Sequence, residues 1–385
     1  MTTDVLGIGL TGKKLTDLER RILRENTPYA VVLFGRNIGG VAQLRDLIAE
    51  VKMLAGENKP PLFMIDEEGG RVDRLRTVLP GLPSAQSFEE GDRPVELSEW
   101  FGKVIGMALR YFDIEIDLAP VVDIRGTVPP KGLERRCFGG SPEDVITLAG
   151  SFMRGLHGAG VASCLKHWPG IGEGSADPHY GATVIDVPLD LLLARELEPF
   201  RVLGPEAGAI MIGHGTYPRV EDDPDLPATL SWRLTNDLLR NTLGFDGVAV
   251  SDDMEMHAVS DLGSYEEITE RALMAGNDVI LFCSHIERIP DLQSHITERV
   301  KSNLKVRGRF DEAVRRCETY RAHCERLRAE ARVPASWDEI VDEAEAFVTE
   351  FEKTRPHREV FIPDVERRKG SRTPGKGRTG REEWT

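Results

Sequence analysis

The sequence predicts an α/β protein whose main domain is a closed (β/α)8 barrel of the TIM type. Three observations support this fold class. Short apolar runs alternate with amphipathic helical patterns. The alternation is strict, which favours a parallel sheet. Eight strand–helix repeats fit within roughly 300 residues, the usual size of such a barrel. An open doubly wound sheet is the alternative, but no G-x-G-x-x-G follows the first strand, and GIGLTGK lacks the spacing of a phosphate-binding loop.

The predicted elements follow in chain order. Strands are expected at Val5–Leu10, Tyr29–Phe34, Leu62–Ile65, Phe112–Leu118, Val161–Leu165, Ala209–Ile212, Val248–Val250 and Val279–Phe282. Helices are expected at Asp17–Glu25, Val41–Ala55, 95–110, 142–158, 190–203, 231–243 and 265–275. Thr16, with Glu19 three residues later, has the spacing of a capping box and predicts where the first helix begins.

The chain changes character near its C-terminal end. We expect a single barrel domain over residues 1–334, an amphipathic helix over 335–355 that contains the acidic segment Trp337–Lys353, and a disordered basic tail over 356–385. Residues 366–381 contain seven Lys or Arg against one Glu, together with Gly, Ser, Thr and Pro, a composition that cannot bury a core. The tail is either a solvated terminus or a weak contact for an anionic partner.

Composition narrows the possible partners and location. The formal net charge of −15 argues against nucleic acid or an anionic membrane as a partner of the protein body. The five cysteines are irregularly spaced and are expected to be free thiols in a reducing compartment. No secretory leader and no apolar run of membrane-spanning length is found, so we expect a cytoplasmic protein. The sequence does not indicate an oligomeric state.

Charged side chains follow five of the predicted strands. In a parallel barrel the carboxyl ends of the strands form one mouth, so we expect these groups to converge. A single Asp after a strand is usually a helix cap, but helix capping alone does not readily explain charged groups at five strand ends. Carboxylates and Arg suit a polyhydroxylated ligand. The groups are Asp66, Arg71 and Arg74 after strand 3, Asp117 and Asp123 at strand 4, Lys166 and His167 after strand 5, His214 after strand 6, and Asp252 and Asp253 after strand 7.

A metal site is the competing interpretation of some of these residues. His167, Asp177, His179, His214 and Asp252 have side chains that can ligate a metal ion. No H-x-x-x-H or H-x-H spacing supports that interpretation. We therefore predict no metal and no cofactor.

Five motifs stand out along the chain: MIDEEGGRVDRLR, RRCFGGSPEDV, KHWPGIGEGSADPHYG, MIGHGTYP and AVSDDMEM. Together they resemble glycoside hydrolase family 3, and most closely its single-domain bacterial β-N-acetylhexosaminidase branch. Their order and spacing agree over roughly residues 5–285, and the C-terminal tail lies outside the resemblance. Each motif alone is weak evidence for the resemblance, whereas the combination of all five is specific to the family.

The resemblance implies a reaction and a set of roles. Family members retain anomeric configuration through a covalent glycosyl-enzyme, and members of this branch recycle cell-wall fragments in the cytoplasm. The resemblance makes Asp252 the nucleophile, His179 the general acid/base and Asp177 its partner carboxylate. A histidine with a pKa near neutrality can both donate and accept the proton that this chemistry needs. The residues that the resemblance assigns to binding of a small carbohydrate are Asp66, Arg74, Arg136, Lys166 and His167, with His214 in the matching strand-6 motif.

The acid/base loop departs from the usual motif of the branch, K-H-F-P-G-H-G-D-T-x-x-D-S-H. Trp168 replaces Phe, Ile171 replaces the second His, Glu173 and Gly174 replace Asp and Thr, and Pro178 replaces Ser. The Asp177–His179 dyad is kept. The glycines of this loop are expected to allow His179 to approach the bound substrate.

Other functions remain open at this point. A histidine base would not repel a phosphate dianion, so the protein could be a phosphorylase. A β-glucosidase and a non-catalytic sugar-binding protein are further alternatives. Substrate-assisted catalysis by Asp252 and Asp253 is disfavoured because adjacent residues of a strand point to opposite faces.

Overall fold

The structure, a computed structural model, describes residues 5–56, 59–176 and 183–354. Within these residues one parallel sheet contains the segments β1 (Leu6–Gly9), β2 (Ala30–Leu33), β3 (Leu62–Ile65), β4 (Ile116–Asp117), β5 (Ala162–Ser163), β6 (Leu165–Trp168), β9 (Ala209–Ile212), β10 (Val248–Asp253) and β11 (Val279–Phe282). A separate antiparallel hairpin pairs β7 (Ser175–Ala176) with β8 (Thr183–Val184).

The parallel sheet closes on itself. Its segment order is β5-β4-β3-β2-β1-β11-β10-β9-β6, and only Cys164 separates β5 from β6 in the chain. The first and last segments are therefore halves of one strand, and the barrel has eight strands. This confirms the predicted fold class and all eight predicted strand positions. The fourth strand is shorter than predicted because the preceding helix continues to Phe112 and ends at Asp113, whose φ is 67°.

Helices surround the barrel. They are α1 (Asp17–Glu25), α2 (Val41–Leu54), α3 (Pro94–Phe112), α4 (Pro142–Gly158), α5 (Leu189–Leu191), α6 (Glu198–Ala207), α7 (His257–Ser260), α8 (Tyr265–Ala275), α9 (Ile289–Ser302), α10 (Leu304–Glu330) and α11 (Trp337–Lys353). The capping box of α1 is present: Glu19 N donates to Thr16 Oγ1 at 3.2 Å, and Thr16 N donates to Glu19 Oε2 at 2.6 Å.

Two predicted helices differ from a regular α-helix. The helix predicted at 190–203 is interrupted by a π-helical turn at Leu192–Glu196, and a new helix begins at Glu198. Pro199 occupies the first turn of that new helix, where the backbone N–H that proline lacks is not needed. The helix predicted at 231–243 is present as a π-helix over Arg233–Thr242. Within it, the carbonyl oxygen of Leu234 accepts a hydrogen bond from the Trp168 indole.

Side chains of the strands alternate between the barrel interior and the helical layer. In β2, Ala30 and Val32 lie in the interior cluster, whereas Val31 and Leu33 pack under the helices. Helix α10 covers the N-terminal ends of the strands. Its Tyr320 is buried there, and Tyr320 Oη donates to the carbonyl oxygen of Ser163 at 2.8 Å. The polar groups at the opposite, C-terminal ends of the strands are thus free to form a site.

Helix α11 packs on α3. Phe347 is fully buried and stacks on Phe101 with ring centroids 5.8 Å apart, and Trp100 meets the same ring edge-on. The predicted C-terminal helix is therefore present, whereas the predicted tail at 356–385 lies outside the described residues. Among the residues that the structure describes, no helix is long and apolar enough to cross a membrane.

Candidate active site

Asp252 lies at the end of β10, at the C-terminal mouth of the barrel. Burial raises the pKa of this carboxyl, but the imidazoles of His214 and His167, the backbone N–H of Asp253 and the ammonium of Lys166 lower it more. The resulting pKa lies below the ordinary value of 3.8. The N–H of Asp253 donates to Asp252 Oδ1 at 2.8 Å. Asp252 is therefore held as a carboxylate among cationic and polar groups at neutral pH.

A buried ion network connects strands 3 and 5 at this mouth. The Lys166 side chain is 2% exposed, and its Nζ lies 2.6 Å from both Asp66 Oδ1 and Glu68 Oε1. Arg136 donates two hydrogen bonds to Glu68, Nε to Oε2 at 2.7 Å and Nη2 to Oε1 at 2.8 Å. Burial alone would lower the pKa of Lys166, but Asp66 and Glu68 raise it more, so the ammonium stays charged. The network fixes two predicted cations in place.

Glu68 was missed by sequence reasoning. It is buried, and although burial raises its pKa, Lys166 and Arg136 lower that pKa strongly. The signal that could have found it is its position, because Glu68 stands two residues after Asp66 in the same motif.

Arg74 lies on the other side of Asp66. Its Nη2 is 3.9 Å from Asp66 Oδ2, and its guanidinium lies over the Phe34 ring at 5.8 Å from the centroid. The Nε of Arg74 is buried and has no hydrogen-bond partner among the described residues. The Arg74 side chain is 31% exposed, so a ligand at the mouth could reach the accessible part of its guanidinium.

His167 is oriented by Asp123. Both the backbone N–H and Nδ1 of His167 lie within hydrogen-bond distance of Asp123 Oδ2, at 3.1 and 2.8 Å. The other oxygen, Asp123 Oδ1, accepts from the N–H of Ile171 at 2.8 Å. A carboxylate at Nδ1 places the proton on that nitrogen and leaves Nε2 for other contacts. Asp123 was predicted at a strand end but not as a site residue, and its role depends on the folded position of His167.

His214 contacts the backbone of the strand that carries Asp252. Its Nε2 lies 2.9 Å from the carbonyl oxygen of Asp253, and its Nδ1 lies 2.6 Å from Thr229 Oγ1. Burial lowers the pKa of His214, although Asp252 and the Asp253 carbonyl oppose this effect. Both ring nitrogens therefore have protein partners. This arrangement suits a residue that positions Asp252, while the sequence-based assignment of His214 to substrate binding stays a prediction.

The predicted dyad Asp177 and His179 lies outside the described residues. The base of its loop is described, and its glycines pack closely. A Cβ at Gly172 would lie 1.8 Å from the carbonyl oxygen of Ile124, and a Cβ at Gly174 would lie 2.2 Å from Thr183 Cγ2. The structure therefore gives these two glycines a packing role, whereas the sequence suggested freedom of movement.

Two of the unusual residues of this loop have partners. Ile171 packs against a small apolar cluster formed by Val121, Leu133 and Cys137. Glu173 Oε1 pairs with Arg195 Nη1 at 2.7 Å. Ile171 thus has apolar contacts at the position where the branch usually has a histidine.

The described residues show no group of three or more His, Cys, Asp or Glu side chains arranged to hold a metal ion. Two of the five possible ligands, Asp177 and His179, are not among these residues. The prediction of a metal-free and cofactor-free site therefore stays a prediction.

Known proteins resemble this chain in sequence and in fold. A model of the glycosyl hydrolase family 3 N-terminal domain matches residues 4–319. A β-hexosaminidase of Pseudomonas aeruginosa is 35% identical over 283 residues, which cover 72% of this chain and 82% of that protein. A β-N-acetylglucosaminidase from Paenibacillus sp. superposes with a TM-score of 0.80 at 30% identity, over 94% of this chain and 70% of that one.

A second solved structure is NagZ from Neisseria gonorrhoeae in complex with N-trifluoroacetyl-D-glucosamine, with a TM-score of 0.70 and 27% identity over 84% of this chain and 96% of that one. The family model spans all eight barrel strands and the described strand ends that carry Asp66, Lys166 and Asp252. The chain belongs to glycosyl hydrolase family 3.

Proposed function

We propose that the protein is a retaining β-N-acetylhexosaminidase that removes terminal β-linked GlcNAc from small saccharides through a glycosyl-enzyme on Asp252. The observation that carries the proposal is the environment of Asp252: a carboxylate kept ionised at the barrel mouth, beside the polar network of Lys166 and His167. The relatives named above support the choice of sugar, because they are a β-hexosaminidase, a β-N-acetylglucosaminidase and a protein bound to a glucosamine derivative.

The proposed reaction has two displacements. In the first, an oxygen of the Asp252 carboxylate bonds to the anomeric carbon, while His179 protonates the departing glycosidic oxygen. In the second, His179 takes a proton from water, the water oxygen bonds to the anomeric carbon, and the bond to Asp252 breaks. Asp177 would orient the His179 ring and stabilise its protonated form. The KHWPGIGEGSADPHYG motif supports these two assignments.

The sugar would lie between Asp252 and the strand-3 and strand-5 residues. Asp66 would accept hydrogen bonds from sugar hydroxyls, and Arg74, whose side chain is 31% exposed, would donate to the sugar from the accessible part of its guanidinium. Lys166 and Arg136 would act partly by holding Asp66 and Glu68 in place, because both cations already pair with these carboxylates. His167, fixed by Asp123, would present Nε2 to the substrate.

A comparison of Asp252→Asn with Asp253→Asn tests the nucleophile. Asn at 252 keeps the size of the side chain but cannot form the glycosyl ester, so release of aryl alcohol from an aryl β-GlcNAc should fall by at least about a thousandfold. Asn at 253 keeps the oxygen that accepts from Cys283 N and Glu255 N, so most of the activity should remain. Wild-type-like turnover by Asp252→Asn would refute the assignment.

The same assay, run on a panel of aryl β-GlcNAc, β-glucoside and β-xyloside with and without phosphate, separates the remaining alternatives. Free GlcNAc as product supports hydrolysis, and GlcNAc-1-phosphate would identify a phosphorylase. A preference for β-glucoside would identify a β-glucosidase. Sugar binding by calorimetry without any turnover would identify a non-catalytic binding protein.

We further propose a cytoplasmic location and peptidoglycan fragments as the natural substrates. All five cysteines are free and buried in the described residues, which is compatible with a reducing compartment. Cell fractionation tests the location, and release of GlcNAc from purified soluble peptidoglycan fragments tests the substrate. No GlcNAc release from these fragments by an enzyme that cleaves the aryl glycoside would exclude the recycling role.

A further inference from the structure

Two buried carboxyl groups, Glu67 and Asp73, lie within the loop that follows β3. We propose that they share a single proton and that this proton holds the sugar-binding residues beside them in position. Asp66 and Glu68 flank Glu67, and Arg74 follows Asp73 directly. The inference rests on the proposed function for the role of these neighbours. Glu67 and Asp73 themselves would be positioning residues.

One oxygen of each carboxyl fastens the loop. Glu67 is completely buried, and its Oε2 accepts from the backbone N–H groups of Arg74 at 2.8 Å and Leu75 at 2.9 Å. Asp73 is 5% exposed, and its Oδ2 accepts from the N–H of Leu82 at 3.2 Å. The two side chains therefore tie the start of the loop to its middle and its middle to its end.

The remaining oxygen of Glu67 and that of Asp73 need a proton between them. Glu67 Oε1 and Asp73 Oδ1 are both buried, and no hydrogen-bond donor of the described residues reaches either atom. The two carboxyl groups are close enough that a hydrogen bond from Glu67 would lower the pKa of Asp73. Ionised carboxylates can only accept hydrogen bonds, so this contact is favourable when one group is protonated and repulsive when neither is.

The surrounding charges place the proton on Glu67. Burial raises the pKa of Glu67 well above its ordinary value, and Asp73 and Asp117, the latter on β4, raise it further. Asp73 has a raised pKa as well, mainly from burial, but the backbone N–H of Leu82 and the Arg76 guanidinium oppose the rise. Glu67 is thus the acid of the pair, and Asp73 is the carboxylate that accepts from it.

Loss of the proton would act on the active site. Two carboxylates would then be in contact inside a closed loop, and the loop would relax by separating them. Because Asp66 and Glu68 lie on one side of this contact and Arg74 on the other, their mutual geometry would change. Substrate binding should weaken on the alkaline side, with less effect on the chemical step at Asp252.

Glu67→Gln and Asp73→Asn test the proposal, because each replaces the titrating proton with a fixed amide hydrogen. KM for an aryl β-GlcNAc and kcat are measured from about pH 7 to about pH 10. The wild-type KM should rise by about tenfold more than the KM of either variant, a difference equivalent to about 1.4 kcal/mol. Glu345→Gln, at an exposed position of α11, is the matched control and should follow the wild type. The same alkaline rise in KM in all four proteins would overturn the proposal.

Thermal unfolding gives a second readout that needs no activity. The folded protein holds this proton more tightly than the unfolded chain, so its contribution to stability is complete below the ordinary Glu pKa of 4.5 and is lost as pH rises through the raised value. The wild-type melting temperature should therefore fall toward alkaline pH more steeply than that of Glu67→Gln. Infrared spectra at pH 8 should also show a protonated carboxyl band that the variant lacks.

If the melting temperatures of the wild type and Glu67→Gln fell equally with pH, and both proteins showed the same carboxyl band, the shared proton would be refuted even in an active enzyme. If none of the proteins cleaves the aryl glycoside, the proposed function fails, while the melting and infrared results still decide whether the proton is shared.

Discussion

Replacing Glu196 with glutamine should stabilise the folded protein at pH 8 and change its stability little in acid. Glu196 ends the π-helical turn Leu192–Glu196 and is 2% exposed. Its Oε1 accepts from Arg195 Nη1 at 2.6 Å, whereas its Oε2 is buried and has no hydrogen-bond partner among the described residues. A charge on this carboxyl is therefore only half compensated.

The magnitude follows from the pKa of Glu196. Burial raises it from 4.5 to about 7; Arg195 opposes the rise, and Asp123 and Glu173 add to it. Because the folded protein binds this proton more tightly than the unfolded chain, the stabilisation is complete below about pH 4.5 and is lost as pH rises to about 7. The difference between the two pKa values corresponds to at most about 3 kcal/mol. Glutamine resembles the protonated acid at every pH and should avoid this loss.

Urea unfolding of the wild type and Glu196→Gln at pH 5 and pH 8 measures the effect. The variant should gain up to about 3 kcal/mol over the wild type at pH 8 and much less at pH 5. Glu198→Gln, two residues later, is the matched control: Glu198 pairs with Arg201 at the surface, and its loss should not stabilise the protein at either pH. A gain of equal size at both pH values, or a less stable variant at pH 8, would refute the reasoning.

Two further predictions concern the strand-5 end of the site. Asp123→Asn should free the His167 ring and lower kcat/KM by at least about tenfold, with a change in melting temperature too small to explain the loss; unchanged kinetics would show that His167 does not need this partner. Gly172→Ala should destabilise the fold by about 1–3 kcal/mol, because the added Cβ would lie 1.8 Å from a backbone oxygen. Gly12→Ala, where a Cβ meets nothing within 4 Å, is its control, and equal melting temperatures for both alanine variants would contradict the packing role of Gly172.

The barrel could be predicted because its strands are locally encoded. Each strand is a short apolar run, and the alternation with helical patterns is visible without any knowledge of contacts. The helix ends were less predictable. The capping box at Thr16 and Glu19 fixes where α1 begins, but the π-helical turn at Leu192–Glu196 has no such local signal. It depends on contacts made only in the folded chain, such as the close approach of Gly170 to Glu196.

The site could be predicted only in part, for a related reason. Lys166, His167 and Asp252 stand at strand ends, so the barrel topology alone brings them together. Glu68 and Asp123 act through side chains that are 68 and 44 residues away in the chain, Arg136 and His167. A sequence shows which residues carry charge, but it does not show which opposite charge will neutralise each of them in a buried site. Sequence reasoning therefore missed Glu68, and it placed Asp123 at the barrel mouth without recognising its role as the partner of His167.

The charge balance of the described site favours water over phosphate as the acceptor. Lys166, Arg136 and Arg74 face the carboxylates of Asp66 and Glu68, and His167 is held by a further carboxylate, that of Asp123. When Asp252 has become an uncharged ester in the glycosyl-enzyme, the charges of these three cations are still balanced by those of three carboxylates, Asp66, Glu68 and Asp123. The described part of the site thus offers no excess positive charge for a phosphate dianion, which would have to leave water without compensation. A neutral water molecule does not meet this cost, so we expect free sugar rather than sugar phosphate as the product.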